Sequence, residues 1–293
     1  MIKICSLLFL SSISFAAAPY GILLLAHGGA PEWNHEVADL TKKVDARVPA
    51  EAALGMADPE TLQAALDKLA ARGAKRVIAV PLFVQSRSEV LDQTRYALGL
   101  SDTPSEVLRD AAERMKAAMP HMAMHHHMFS LDRVKTNLPV KLAPALDGDV
   151  LVSRILLERA RVLSRDAKSE TVVLVAHGPV DDSALAAWND SLAKHAEYLR
   201  REGKFRAATF AVLRDDAAPP VRASSVAALR AKVAAGAKDG RALVVPVLIA
   251  RGGIEGKLAD DLKGLDYAWD GMTLMPHEGF DAWVLSRAAE AAR

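Results

Sequence analysis

The stretch Gly21-Ile22-Leu23-Leu24-Leu25-Ala26-His27-Gly28-Gly29 runs apolar without alternation and stops at a histidine followed by two glycines. An unbroken apolar run of this length, ended by a glycine turn, is the pattern of a strand buried on both faces, as in a parallel sheet covered by helices. Working outward, residues 34 to 47 place Val37, Leu40 and Val44 at helical spacing among charges. Asp58-Pro59-Glu60 then opens a second helix, with Asp58 as N-cap and Pro59 in the first position, and Gly73 ends it. Residues 76 to 84 are again apolar, with Pro81 inside the run, and are followed by the polar Gln85-Ser86-Arg87-Ser88-Glu89. The opening order reads strand, helix, helix, strand.

The second half repeats this order. Thr171-Val-Val-Leu-Val-Ala176-His177-Gly178 echoes the first stretch, and Ala242-Leu-Val-Val-Pro246-Val-Leu-Ile249 echoes the run around Pro81. Strand-end histidine, mid-strand proline and their order all agree, so the expected fold is α/β: two tandem related lobes, each a doubly wound parallel sheet flanked by helices. His27 precedes Pro81 by 54 residues and His177 precedes Pro246 by 69, which predicts extra loop in the second copy around residues 215 to 220. Residues 102 to 118 read as an amphipathic helix, and 142 to 163 as a short strand leading into a second one. The lobes divide as 19–140, carrying a histidine- and methionine-rich insertion, and 141–293.

Residues 1–18 stand apart: Lys3, an apolar stretch over residues 4 to 15, and Ala16-Ala17-Ala18 before Pro19. This is the order of a cleaved signal peptide, and the apolar run falls short of the roughly 20 residues that span a bilayer. A periplasmic or secreted protein with no stable membrane span is expected. Cys5, the only cysteine, lies inside that leader, so the mature chain has no thiol to pair or to bind metal. With 37 basic against 36 acidic residues, a net charge of +1, there is no broad surface for nucleic acid, and small molecules are the expected partners.

Sites in parallel sheets gather at the carboxyl ends of strands, where both histidines and the segment 86–89 fall. Imidazole can ligate a metal or accept a proton near neutral pH, and the glycine after it admits a substrate to the backbone. Either histidine alone could instead simply bond a loop carbonyl. Met119-Pro-His121-Met122-Ala-Met124-His125-His126-His127-Met128 combines imidazole with soft thioethers. It reads either as an edge strand with one wet face or as an accessory metal site of His121, His125, His126 and His127.

Leu-Leu-Ala-His27-Gly28, Asp58-Pro59 before a helix, Gly73-Ala-Lys-Arg-Val77 and Val80-Pro81-Leu-Phe-Val84 together resemble the class II tetrapyrrole chelatases, which include the CbiX-type sirohydrochlorin cobalt and iron chelatases. The resemblance implies insertion of a divalent metal (Co, Fe or Ni) into a tetrapyrrole held between two lobes, with no organic cofactor. It implies His27 and His177 as metal ligands or bases; Glu89 and Glu255 stand as matching carboxylates, read either as metal-binding groups or as solvent-facing residues at a helix start, and Arg87 and Arg251 offer partners for the ring's carboxylates. Family members commonly carry a further histidine after each Val-Pro-Leu strand. Here Arg87 or Ser88, and Ile254, take those places, and Gly55-Met56 stands where a glutamate is usual. Leu274-Met-Pro-His277-Glu278 resembles the family's last turn, with His277 structural. Two readings follow: a metal-inserting enzyme, or a non-catalytic exported protein that binds metal or tetrapyrrole at a degenerate site.

Overall fold

Each apolar run that ends in a histidine becomes the central strand of a parallel sheet. In the computed structural model, which describes residues 20–106, 109 and 131–293, β1 (Gly21–Ala26) lies between β2 (Ala50–Leu54) and β3 (Val77–Pro81). β4 (Val140–Leu142) completes the order β2-β1-β3-β4. β5 (Glu170–Ala176) lies between β6 (Ala207–Val212) and β7 (Arg241–Val247) in a second parallel sheet. The expected leader with Cys5, most of the helix expected over residues 102 to 118, and the segment with His121, His125, His126 and His127 fall outside the described residues.

The duplication holds to the residue. Pro81 lies beside Leu25, two residues before His27, and Pro246 beside Val175, two before His177. Leu146 N–H donates to the Phe83 carbonyl (3.1 Å), and Leu274 N–H to the Leu248 carbonyl (2.9 Å), each acceptor two residues past its proline. Where the first sheet has β4, the second has a single bridge, Leu243 to Ala268.

Two expectations change. A strand, β2, separates the first two helices, so the opening order is strand, helix, strand, helix, strand. Its sequence Ala-Glu-Ala-Ala-Leu has no β-branched residue, and pairing with β1 overrides that local preference. The second copy's extra length lies chiefly in helices rather than in a loop. α5 (Asp182–Gly203, 22 residues) and α6 (Pro219–Lys238, 20 residues) outrun their counterparts α1 (Pro31–Asp45, 15 residues) and α2 (Pro59–Ala71, 13 residues).

Alternation along the strands divides the interior. Leu23 and Leu25 face α2 through Leu62, Leu66 and Leu69, and Val173 and Val175 face α6 and α7 (Ile254–Asp261) through Leu229, Val233, Leu258 and Leu262. Ile22, Leu24 and Ala26 of one sheet and Val172, Leu174 and Ala176 of the other share one continuous core. α3 (Glu89–Ala97) follows β3. The remaining helices are exchanged. α4 (Val150–Leu163) closes the first repeat yet packs on β7 and α5, whereas α8 (Gly279–Ala292) closes the second and packs on β3 and α1. Asp149 ties the two exchanged helices: one oxygen caps α4 at Leu151 N–H (2.8 Å), and the other accepts from Trp283 Nε1 (3.0 Å) and Arg287 (2.9 Å) of α8.

His195, fully buried between α4 and α5, has both ring nitrogens engaged. Nε2–H donates to the Asp147 carbonyl (3.1 Å) and Nδ1 takes the Ser153 hydroxyl (2.8 Å). Burial pulls its pKa below the ordinary 6.5. The folded protein thus holds it neutral, while the unfolded chain protonates first as pH falls. Its contribution to stability is full above about 6.5 and is lost as pH falls from there to the depressed folded value, with a slope of at most about 1.4 kcal/mol per pH unit. Urea unfolding of wild type and His195→Leu across pH 5 to 8 should give the variant a flatter stability profile over that window. Trp283→Ala, which empties the core and removes the Asp149 bond, should cost about 3–5 kcal/mol in the same measurement.

Candidate functional site

His27 and His177 leave their strands in the same way. Each is followed by a glycine in the left-handed region, Gly28 at φ 75° and Gly178 at φ 80°, where a side chain would be strained and a Cβ would press on Gly55 N (3.2 Å) or Val212 Cβ (3.0 Å). That turn presents the glycine carbonyl to the preceding imidazole, and Nδ1–H donates to it at 2.8 Å in both lobes. With the proton fixed on Nδ1, Nε2 carries the lone pair outward. His27 is exposed.

At His177, Nε2 faces Asp216 Oδ2 at 3.1 Å. Because Nδ1 already donates to Gly178, imidazole nitrogen and carboxylate oxygen meet lone pair to lone pair unless a cation, proton or metal, lies between them. The pair is therefore a place to hold a positive charge. Arg214 builds it. Its backbone lies at φ 55°, its N–H donates to the His177 carbonyl (2.7 Å), and its nearly buried guanidinium reaches the Pro179 and Val180 carbonyls and the Asp182 carboxylate. Asp215 turns inward to Arg222, which also grips Asp261, and Asp216 turns out to His177. Neither Asp216 nor Arg214 was among the residues expected from sequence. The cue was three consecutive charges, 214–216, directly after an apolar strand.

The carboxylates do not match as the sequence suggested. α3 starts at Glu89 and α7 at Ile254, each eight residues past its proline, so Glu89 corresponds to Ile254 and Glu255 lies one place further on. Glu89 crosses to the second lobe and accepts from Asp181 N–H (3.3 Å). Glu255 stays in its own loop, accepting from Gly252 N–H (3.2 Å) and Gly253 N–H (2.9 Å). Arg87 is exposed at the junction of the lobes, its carbonyl held by Trp188 Nε1 (3.2 Å), while Arg251 is fastened through Nε to the Gly271 carbonyl (3.1 Å). His277 is structural, accepting from Gly279 N–H at the start of α8 (3.0 Å) and meeting Glu158 (3.0 Å). Among the described residues, no three histidine, cysteine or carboxylate side chains converge as a metal cage, and no helix is long and apolar enough to cross a membrane.

A family model described as CbiX matches residues 21–162, which is the first repeat up to the end of its exchanged helix. No curated protein matches the sequence. Among solved structures, the fold is similar to SirB from Bacillus subtilis with Fe3+, at TM-score 0.61 and 15% identity over 93% of this chain and 95% of that one. The sirohydrochlorin chelatase SirB from Bacillus subtilis subspecies spizizenii in complex with cobalt aligns at TM-score 0.58 and 14% identity, with the same coverage of both chains. CbiX, described as the terminal enzyme of siroheme biosynthesis in denitrifying bacteria, aligns at TM-score 0.52 and 17% identity over 93% of this chain and 99% of that one. The structural likenesses establish the two-lobed chelatase-like fold over nearly the whole chain, and the sequence match to the CbiX family model covers its first repeat.

Proposed function

We propose that the chain inserts a divalent metal ion, Co2+, Fe2+ or Ni2+, into a sirohydrochlorin-type tetrapyrrole, and that it works outside the cytoplasm after loss of residues 1–18. The observation that carries this reading is the paired Nδ1–glycine carbonyl bond, which leaves Nε2 of His27 and of His177 as the acting atom. Insertion exchanges one M2+ for two pyrrole N–H protons, so the site must present a metal and accept protons. His27, exposed and with a committed tautomer, presents the metal through Nε2 as one of few protein ligands, which keeps the ion easy to surrender. His177 and Asp216 receive protons, the carboxylate stabilising the imidazolium that forms. Arg87 meets carboxylates of the ring from the lobe junction. No organic cofactor enters this scheme. The CbiX match across the first repeat and the printed substrates and metals of the structural relatives support the class of reaction.

The second reading is a binding protein without turnover. What favours it is that Glu89 and Glu255 are engaged by backbone amides and that no cage of three donors forms among the described residues.

Purified protein, the tetrapyrrole and Co2+ or Fe2+ followed by absorbance separate the two. Insertion above the buffer rate supports the enzyme, and tight binding of ring or metal without insertion supports the binder. For the enzyme, His27→Ala should lower the insertion rate by about 100-fold or more while ring affinity stays near wild type. Asp216→Asn should slow insertion by about tenfold, because the imidazolium that forms on His177 loses its counter-charge. Replacing His125, His126 and His127 together should lower metal uptake without changing the rate at saturating metal, if that segment recruits the ion.

A further inference from the structure

The peptide that joins Gly28 to Gly29 is engaged at both ends. Its carbonyl takes the Nδ1–H of His27 (2.8 Å), and its N–H, which in a trans peptide points the opposite way, donates to Asn34 Oδ1 (3.0 Å). Asparagine is a weak helix former, and Asn34 stands at the end of the first turn of α1 with its side chain turned back onto the loop. Its Nδ2 donates to the Gly29 carbonyl (3.0 Å). That second bond fixes which end of the amide faces Gly29 N–H: with the amide reversed, donor would meet donor and acceptor would meet acceptor. One side chain thus holds Gly29 on both sides.

The second lobe secures the corresponding peptide by other means. Pro179 stands two residues past His177, as Gly29 stands two past His27, so the peptide after Gly178 has no N–H to turn toward the imidazole. The Pro179 carbonyl is held by Arg214 Nε (3.2 Å), where the Gly29 carbonyl is held by Asn34. In the first lobe no ring restrains the chain. A diglycine unit reorients its peptide at little steric cost, and Gly29 is exposed. Turned over, that peptide would aim its N–H at Nδ1 of His27. Nδ1 would then be the acceptor, and the ring proton would sit on Nε2, the atom that has to be free for a metal.

We propose that Asn34 is a positioning residue for His27: by accepting from Gly29 N–H it keeps the Gly28 carbonyl on Nδ1 and so keeps the Nε2 lone pair available. The partner of a metal-binding imidazole's second nitrogen orients the ring and sets its tautomer. Here that partner is a backbone carbonyl, and Asn34 controls it from the far side of the same peptide. The consequence for metal rests on the reading of His27 as a ligand given above, whereas the tautomer itself does not.

Nuclear magnetic resonance of the full-length protein carrying 15N-labelled histidine reads the tautomer directly, with the His27 signals identified by their loss in His27→Ala. At about pH 8.5, above the ordinary imidazole range, wild type should show His27 protonated on Nδ1 and free on Nε2. Asn34→Ala should move His27 to a mixture of the two tautomers and leave His177 unchanged. Adding Gly29→Pro to Asn34→Ala copies the second lobe and should return His27 to the Nδ1–H form; a Cβ at position 29 would meet only the Trp33 side chain, at 3.9 Å, in ordinary contact. In the insertion assay Asn34→Ala should raise the KM for Co2+ by about tenfold to a hundredfold with kcat near wild type, and the added proline should reverse this. Wild-type His27 protonated on Nε2, an unaltered tautomer in Asn34→Ala, a change at His177 as large as that at His27, a double variant no better than the single one, or an unchanged KM while the wild type turns over would each overturn the proposal. If the tautomers behave as stated and the wild type inserts no metal, the proposed reaction fails and the positioning role stands.

Discussion

One apolar core, passing unbroken from the inner face of the first sheet to the inner face of the second, holds the molecule in register. It includes Ile22, Leu24 and Val80 on one side and Val172, Leu174 and Val245 on the other, with Phe280 and Trp283 of α8 and Ile155 and Leu156 of α4 joining them. Close-packed interiors resist small displacements. The two strand ends that carry His27 and His177 are therefore positioned by a common interior, and neither lobe can drift without disturbing the packing of the other.

Against this fixed background, the site is made by short-range backbone chemistry. A left-handed glycine turns its carbonyl onto the imidazole before it, twice, and chooses the tautomer. The copies then diverge. The second has an aspartate facing Nε2, held by an arginine that braces the whole loop, whereas the first leaves Nε2 open. In the proposed reaction the duplicated fold divides two tasks between equivalent atoms, one nitrogen for a metal and one for a proton, because the local geometry is inherited and only the neighbours differ.

How much of this was legible in sequence depended on whether the controlling interaction was local. Both central strands, the strand-end histidines and the Asp58 cap with Pro59 behind it were readable, because continuous burial and capping leave marks within a few residues. β2 was not, since Ala-Glu-Ala-Ala-Leu has helical composition and becomes a strand only by pairing with β1. The match of Glu89 to Ile254 needed the helix starts, which settle a one-residue ambiguity that glycine-rich loops conceal. Asp216 was hidden because its partner lies 39 residues away in sequence, and the exchange of α4 and α8 because an amphipathic face does not name the sheet it covers.

That exchange bears on the order in which the chain can be built. The first sheet is complete once β4 is made and α1 covers part of its inner face, but the cover over β3 comes from α8, the final helix. During synthesis, Ile22, Leu24, Ile78 and Val80 must wait for more than a hundred further residues before Phe280 and Trp283 arrive to cover them. The first lobe consequently relies on α8 for part of its cover, despite its sequence autonomy as a repeat. Folding that followed the chain from the amino terminus would leave part of that apolar face open until α8 is made.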